Sequence, residues 1–160
     1  MLGVKIICVG KMRERFYTDA YTEYTKRLGG YCRVETVEVT EQKLPEAPSP
    51  AQISAALEKE AAEVSKAIPK DAYAVALCVE GRQMSSEDMA QLIEERENSG
   101  RPRLCFIIGG SFGLSETVKK QVQLRLSMSK MTFPHHLARV MLAEQIYRGF
   151  KISEGSKYHK

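Results

Sequence analysis

Leu104 to Gly113 reads LCFIIGGSFG, and this stretch decides the fold. Five apolar residues rich in strand formers run straight into a Gly-Gly turn, and Ser115 then opens a helix. A strand this continuously apolar needs cover on both faces, as in a parallel sheet packed between helices. Glycines at its carboxyl end leave bare backbone N–H and C=O groups, because no side chain blocks a ligand's approach. Leu126 to Pro134, LSMSKMTFP, repeats the arrangement: a second apolar strand ending in a compact polar loop. Two such loops at the carboxyl ends of strands make a small-molecule crevice in an open α/β sheet.

Upstream, Lys5–Val9 reads as a first short strand. Met12–Leu28 has helical spacing through Phe16, Tyr17, Ala20, Tyr21, Tyr24 and Leu28, with Gly29-Gly30 ending it. We read this aromatic stripe as core rather than as a base-stacking platform. Arg33–Val39 alternates like a strand and closes a strand–helix–strand unit. Three prolines within Leu44–Ala51 make that segment a loop.

Ala51–Ile68 places Ile53, Leu57, Ala61, Val64 and Ile68 on one helical stripe, and Pro69 stops it. Ala72–Val79 is a continuous apolar strand followed by Glu80-Gly81. Ser85 and Ser86 then cap a helix through Met89, Leu92 and Ile93, with Gly100 just past its end. A helix over 115–123, a strand over 124–128 and a long helix from His135 to Phe150 finish the series. The whole reads as one α/β domain, residues 1–160, with a mostly parallel sheet and helices on both faces. The last helix is apolar around most of its circumference, with Arg139 and Glu144 embedded in it. Either it is central to the domain or it packs in a homodimer, and the second is the expectation.

Bulk properties narrow the class. In 160 residues, 43% are hydrophobic and 28% charged, as in an ordinary soluble globular protein. No run approaches the roughly 20 apolar residues of a membrane span. MLGVKIICVGK has neither a basic region nor a cleavage site of a signal peptide, so a cytoplasmic protein is expected. Cys8, Cys32, Cys78 and Cys105 are scattered singly, three of them in strand-like runs. They read as reduced thiols rather than as disulfides or metal ligands, and no metal is expected. Net charge is +4, but residues 101–160 carry 11 Lys/Arg against 3 Asp/Glu. A basic region beside a crevice points to a large anionic partner, nucleic acid first. Lys119, Lys120, Arg125, Lys130, Arg148 and Lys151 are the candidate phosphate contacts.

Several ordered motifs run through the chain. They are Val9-Gly10-Lys11, Tyr24-x-x-Arg27-Leu28 and Gly109-Gly110-Ser-Phe-Gly113-Leu114. They continue with Ser127-Met-Ser-Lys-Met-Thr-Phe-Pro134-His135, Arg139-Val140, Glu144-Gln145-x-Tyr147-Arg148 and Tyr158-His159-Lys160. Together they resemble, over essentially the full length, the bacterial large-subunit ribosomal RNA pseudouridine N3-methyltransferases of the SPOUT class.

That resemblance implies a SPOUT-type α/β fold with a C-terminal trefoil knot, a homodimer, and S-adenosylmethionine as cofactor. The knot is an exception to the rule that chains do not thread loops. The resemblance puts the cofactor against Leu77, Gly109 and the loop Met128, Ser129, Lys130, Met131, Thr132, Phe133. It implies a pseudouridine in 23S rRNA as substrate, methylated on N3 within the assembled 70S ribosome. N3 carries a proton, so a base is needed; His159, Glu144 and His135 are the candidates, with Tyr158 and Arg139 to position or stabilise. The tail is expected to fold over the active site, from the same or the partner subunit. Rival readings are a SPOUT methyltransferase of another RNA position, or a ribosome-binding protein without catalysis. A Rossmann nucleotide-binding protein fits poorly, because Val9-Gly10 lacks the GxGxxG pattern and no Walker lysine loop is present.

Overall fold

A computed structural model describes all residues, 1–160. Five strands, β1 (Gly3–Val9), β2 (Arg33–Val39), β3 (Tyr73–Gln83), β4 (Arg103–Ile108) and β5 (Leu124–Ser127), form one sheet. Their order is β2-β1-β4-β3-β5 and every pairing is parallel. The helices are α1 (Arg15–Leu28), α2 (Pro50–Ala67), α3 (Ser86–Glu97), α4 (Glu116–Lys119) and α5 (His135–Ser153). None is long and apolar enough to cross a membrane.

The period-2 alternation of the central strands divides the core in two. Val4, Ile6 and Cys8 of β1 and Leu104, Phe106 and Ile108 of β4 face one cluster, which Leu28, Met89, Ile93, Leu142 and Ile146 complete from α1, α3 and α5. Ile7, Val9, Cys105 and Ile107 face the other, closed by Ala61 and Val64 of α2 and Val118 of α4. Unbroken apolar runs are thus the sequence form of strands with helices on both faces.

Local signals set several boundaries. Ser49 caps α2 in a reciprocal box with Gln52, and Ser85 caps α3 in the same way with Asp88. Other boundaries depart from the sequence reading. The helix expected over 115–123 is one turn, because Gln123 already runs beside β3: its backbone N–H donates to the Ala74 carbonyl and its side-chain Oε1 accepts the Ala74 N–H. α1 begins at Arg15 rather than Met12, and Gly29 ends it in ordinary right-handed geometry, φ −56°. α3 ends at Glu97 with Asn98 as its cap, ahead of Gly100. Phe16 is 67% exposed and belongs to no core, while Tyr17, Tyr21 and Tyr24 are half-buried.

α5 gives Leu142, Ala143, Ile146, Gly149 and Phe150 to the interior. Gly149 lets it lie close on α3: a Cβ there would meet Ile93 Cδ1 at 2.7 Å and Ala90 Cα at 3.4 Å. Much of the helix's apolar circumference is therefore covered within the chain. Leu137, Val140 and Met141 stay half-exposed.

Candidate active site

The carboxyl ends of β3, β4 and β5 converge on a cavity of about 530 Å³, within the usual range for small-molecule sites. β4 contributes the glycine loop. Gly109 packs so tightly that a Cβ would fall 2.5 Å from the backbone C and O of Gly113, and Gly113 itself needs φ +78°. Only glycine fits that turn at Gly109 and Gly113, which present bare backbone to the cavity beside Ser111 and Phe112. Glu41, from the segment between β2 and α2, braces the loop by accepting the Ser111 N–H at 3.3 Å.

β3 contributes a bulge. Its register with β5 jumps from Leu77 to Arg82, both opposite Leu126, so residues 78–81 leave the ladder. Gly81 permits the crossing: a Cβ there would lie 2.7 Å from the Arg125 carbonyl. β5 contributes the loop from Met128 to Phe133, stitched by Ser127 Oγ–H to Ser129 O (3.0 Å) and Met131 N–H to Ser129 Oγ (3.0 Å).

Leu77, Gly109, Met128, Ser129, Met131, Thr132, Phe133 and His135 all line this one cavity. Lys130 sits in the same loop but points to solvent. Burial, then the neighbouring His136, lowers the His135 pKa, so its imidazole is neutral at pH 7. A histidine with a depressed folded pKa lends its stability above the unfolded value of 6.5 and loses it as pH falls below that. Thermal midpoints should therefore drop between pH 7.5 and 5.5. His135→Gln should flatten that drop in part; an unchanged slope would remove His135 from the account.

The other site residues of the sequence reading lie in two separate places. Arg139, only 2% exposed, donates from Nη1 to Glu38 (2.7 Å) and from Nη2 to the Gly10 carbonyl (3.0 Å). It ties α5 to β1 and β2 and does not line the cavity. Glu144 accepts from the Tyr158 hydroxyl (3.1 Å) and pairs with Arg148, whose Nη1 meets His159 Nδ1 at 3.2 Å. His159 Nε2 meets Glu87 of α3 at 2.8 Å. Burial, then the Glu144 charge, raises the Tyr158 phenol to about 12, so it stays a neutral donor. From His135 to Glu144 is about 13 Å along α5 and half a turn around it. The tail therefore cannot reach its own cavity in this arrangement.

Among the candidate phosphate contacts, Lys119 pairs with Glu80 and Glu116, Arg125 with Glu116, Arg148 with Glu144, and Lys151 with Glu154. Lys120 and Lys130 stand exposed and outside any ion pair. Cys8, Cys32 and Cys105 are buried free thiols held near 12 by desolvation, and Cys78 is a half-buried one at the cavity wall. No three His, Cys, Asp or Glu side chains gather as a metal site.

A parallel sheet with helices on both faces and a glycine-lined cavity at its carboxyl edge defines a small-molecule-binding α/β protein. Two solved structures share the fold. A probable methylase family protein from Haemophilus influenzae matches 98% of this chain and 70% of its own, at 11% identity and TM-score 0.58. A probable methyltransferase from Bordetella pertussis matches 91% and 93%, at 14% identity and TM-score 0.59.

The family model described as "Predicted SPOUT methyltransferase" matches residues 2–159. The ribosomal RNA large subunit methyltransferase H of Clostridium beijerinckii is 43% identical over 99% of this chain and its own full length. That of Listeria monocytogenes is 41% identical over the same shares. The chain belongs to the SPOUT methyltransferase family, and it is an enzyme of the methyltransferase class.

Proposed function

We propose that this enzyme uses S-adenosylmethionine to methylate N3 of a pseudouridine in 23S rRNA of the assembled 70S ribosome, as a homodimer in the cytoplasm. The observation that carries the reading is the meeting of three loops, from Leu77, Gly109 and Met128–Phe133, in one cavity of a SPOUT family member. The cavity suits the cofactor chemically. Leu77, Met131 and Phe133 offer apolar walls for a purine, and the glycine loop offers backbone donors and acceptors. When bound, S-adenosylmethionine supplies an electrophilic methyl group on a sulfonium.

The chain's own task is to hold the uracil ring in line with that methyl and to take the N3 proton. Neutral His135 faces the cavity and suits the acceptor role. Arg139 acts from a distance by fixing the start of α5 against β1, and Glu144 positions Tyr158 and Arg148. The half-exposed stripe Leu137, Val140 and Met141 is the surface for a second copy. Across that interface, Tyr158 and His159 reach the partner's cavity, which they cannot reach in their own chain. The trefoil knot belongs to the same reading; Gly81, where the β3 bulge touches the backbone of Arg125 and Leu126, is its expected crossing point.

The direct test is transfer of labelled methyl to 70S ribosomes lacking the modification, with 50S subunits and free 23S rRNA alongside and the product mapped by mass. Label on a pseudouridine base in 70S particles alone supports every part. No transfer with cofactor binding intact sends the substrate to another RNA.

Two further outcomes are expected. Deleting Tyr158–Lys160 should leave cofactor affinity within about threefold and cut methyl transfer by roughly 10²-fold or more, the scale of one acid–base group. Loss of cofactor binding would instead place the tail in the fold. Ribosome association should weaken steeply between 50 and 200 mM salt by counter-ion release, whereas cofactor affinity should barely move. Equal salt slopes would contradict a phosphate-binding face.

A further inference from the structure

The cavity wall carries one feature the proposed reaction has not used. With His135 neutral, the only charged side chains lining it are Glu80, on the β3 bulge, and Lys119, in α4. Everything around them is apolar, hydroxyl or backbone. Lys119 Nζ meets Glu80 Oε1 at 2.5 Å, and its side chain is only 13% exposed. Glu80 keeps 56% of its side chain open, with Oε2 outside any hydrogen bond. Glu116 approaches Lys119 from behind at 3.8 Å and also meets Arg125 at 3.6 Å. The lysine therefore keeps an acidic neighbour when Glu80 turns to a ligand.

Glu80 is more than half open to water, so solvent screening limits what the pair adds to the fold. Its placement serves a ligand better. A carboxylate and an ammonium side by side at the edge of an apolar cavity match a ligand end that carries both signs. S-adenosylmethionine has one such end, the α-ammonium and α-carboxylate of its amino-acid moiety.

We propose that Glu80 and Lys119 form the subsite for that moiety, Glu80 taking the α-ammonium and Lys119 the α-carboxylate. Head to tail, the two pairs make a square in which each charge has an opposite neighbour, so neither partner is left desolvated alone. The subsite fixes which way the sulfonium points, because the adenine end is already held by the loops at Gly109 and Met128–Phe133. The assignment rests on the cavity being the cofactor site.

Titration calorimetry with three ligands tests it. S-adenosylhomocysteine carries the amino-acid end, S-adenosylmethionine carries it with the sulfonium, and 5′-methylthioadenosine keeps the adenosine and thioether but lacks that end. Glu80→Gln and Lys119→Met should each weaken the first two by tenfold or more and leave 5′-methylthioadenosine within about twofold. Unchanged S-adenosylhomocysteine affinity in Glu80→Gln overturns the assignment. An equal loss for 5′-methylthioadenosine also overturns it, moving the pair to the ribose or the fold. Glu80→Gln is isosteric and exposed, so it decides the matter even where Lys119→Met disturbs α4. Wild-type protein that binds none of the three overturns the cofactor reading itself, a result distinct from either variant outcome.

Discussion

Gly109→Ala is expected to lower cofactor affinity by about 100-fold while the protein still folds. The added Cβ would sit 2.5 Å from the backbone C and O of Gly113, where nothing flexible can give way. Forcing a methyl group into such a contact costs about 1–3 kcal/mol and displaces whichever segment is softer. Here that is the loop over 110–113, exposed from Ser111 onward, which lines the cavity. A loss of ~2.7 kcal/mol in binding is two decades in Kd. Gly100→Ala is the control, since a Cβ there has nothing within 4 Å and φ is not positive. Calorimetric affinity equal to wild type in Gly109→Ala would mean that the cofactor does not lie against this turn.

The second large effect falls on stability. Arg139→Met should lower the unfolding free energy by about 3 kcal/mol, because it leaves the Gly10 carbonyl without its donor and Glu38 without its charge partner. Glu38 is partly open to water and rehydrates, which keeps the cost toward the lower end for a broken buried pair. For a chain of this size each kcal/mol is about 2–4 °C of melting temperature, so a fall of roughly 6–12 °C is expected. Glu38→Gln, which keeps an acceptor for the same Arg139 donor, should cost clearly less. An Arg139→Met protein with an unshifted midpoint but no activity would make the residue catalytic and refute the anchoring role.

How much of this could be read beforehand varied with the range of the interactions. The strands were legible because burial on both faces demands unbroken apolar runs such as Leu104–Ile108, and the Ser49 and Ser85 caps are local chemistry. The glycine loop was legible because a turn with Gly109 against Gly113 excludes every other residue. The segment 115–123 departs from its local pattern for a complementary reason. Its spacing is helical, yet the ladder with β3 claims Gln123 and overrides a weak local preference. Phe16 fits the same helical spacing as its half-buried neighbours, yet it stands 67% exposed.

The candidate site shows the same division. Leu77, Gly109 and the Met128–Phe133 loop meet because three parallel strands end together; apolar runs ending in glycine and polar loops are legible in sequence, whereas the strand order that makes them neighbours is not. Glu41, Glu38 and Glu80 carried no sequence signal, since each is one acid among 20 in the chain. Only the packing gives them meaning: Glu41 under Ser111, Glu38 on Arg139, Glu80 on Lys119. Packing likewise decides that, within one chain, Arg139 lies on Glu38 and Gly10, apart from the group of Glu144, Tyr158 and His159.

Apolar periodicity, turn chemistry and ordered motifs are written along one chain, and the layers of this protein, the glycines at its cavity loops and its family follow from them. The tertiary structure alone decided which charges are spent on one another, which side chains share the cavity and which lie half a turn of α5 away. Those are distances between residues far apart in sequence, set by how the strands cross and stack, and no local pattern encodes them.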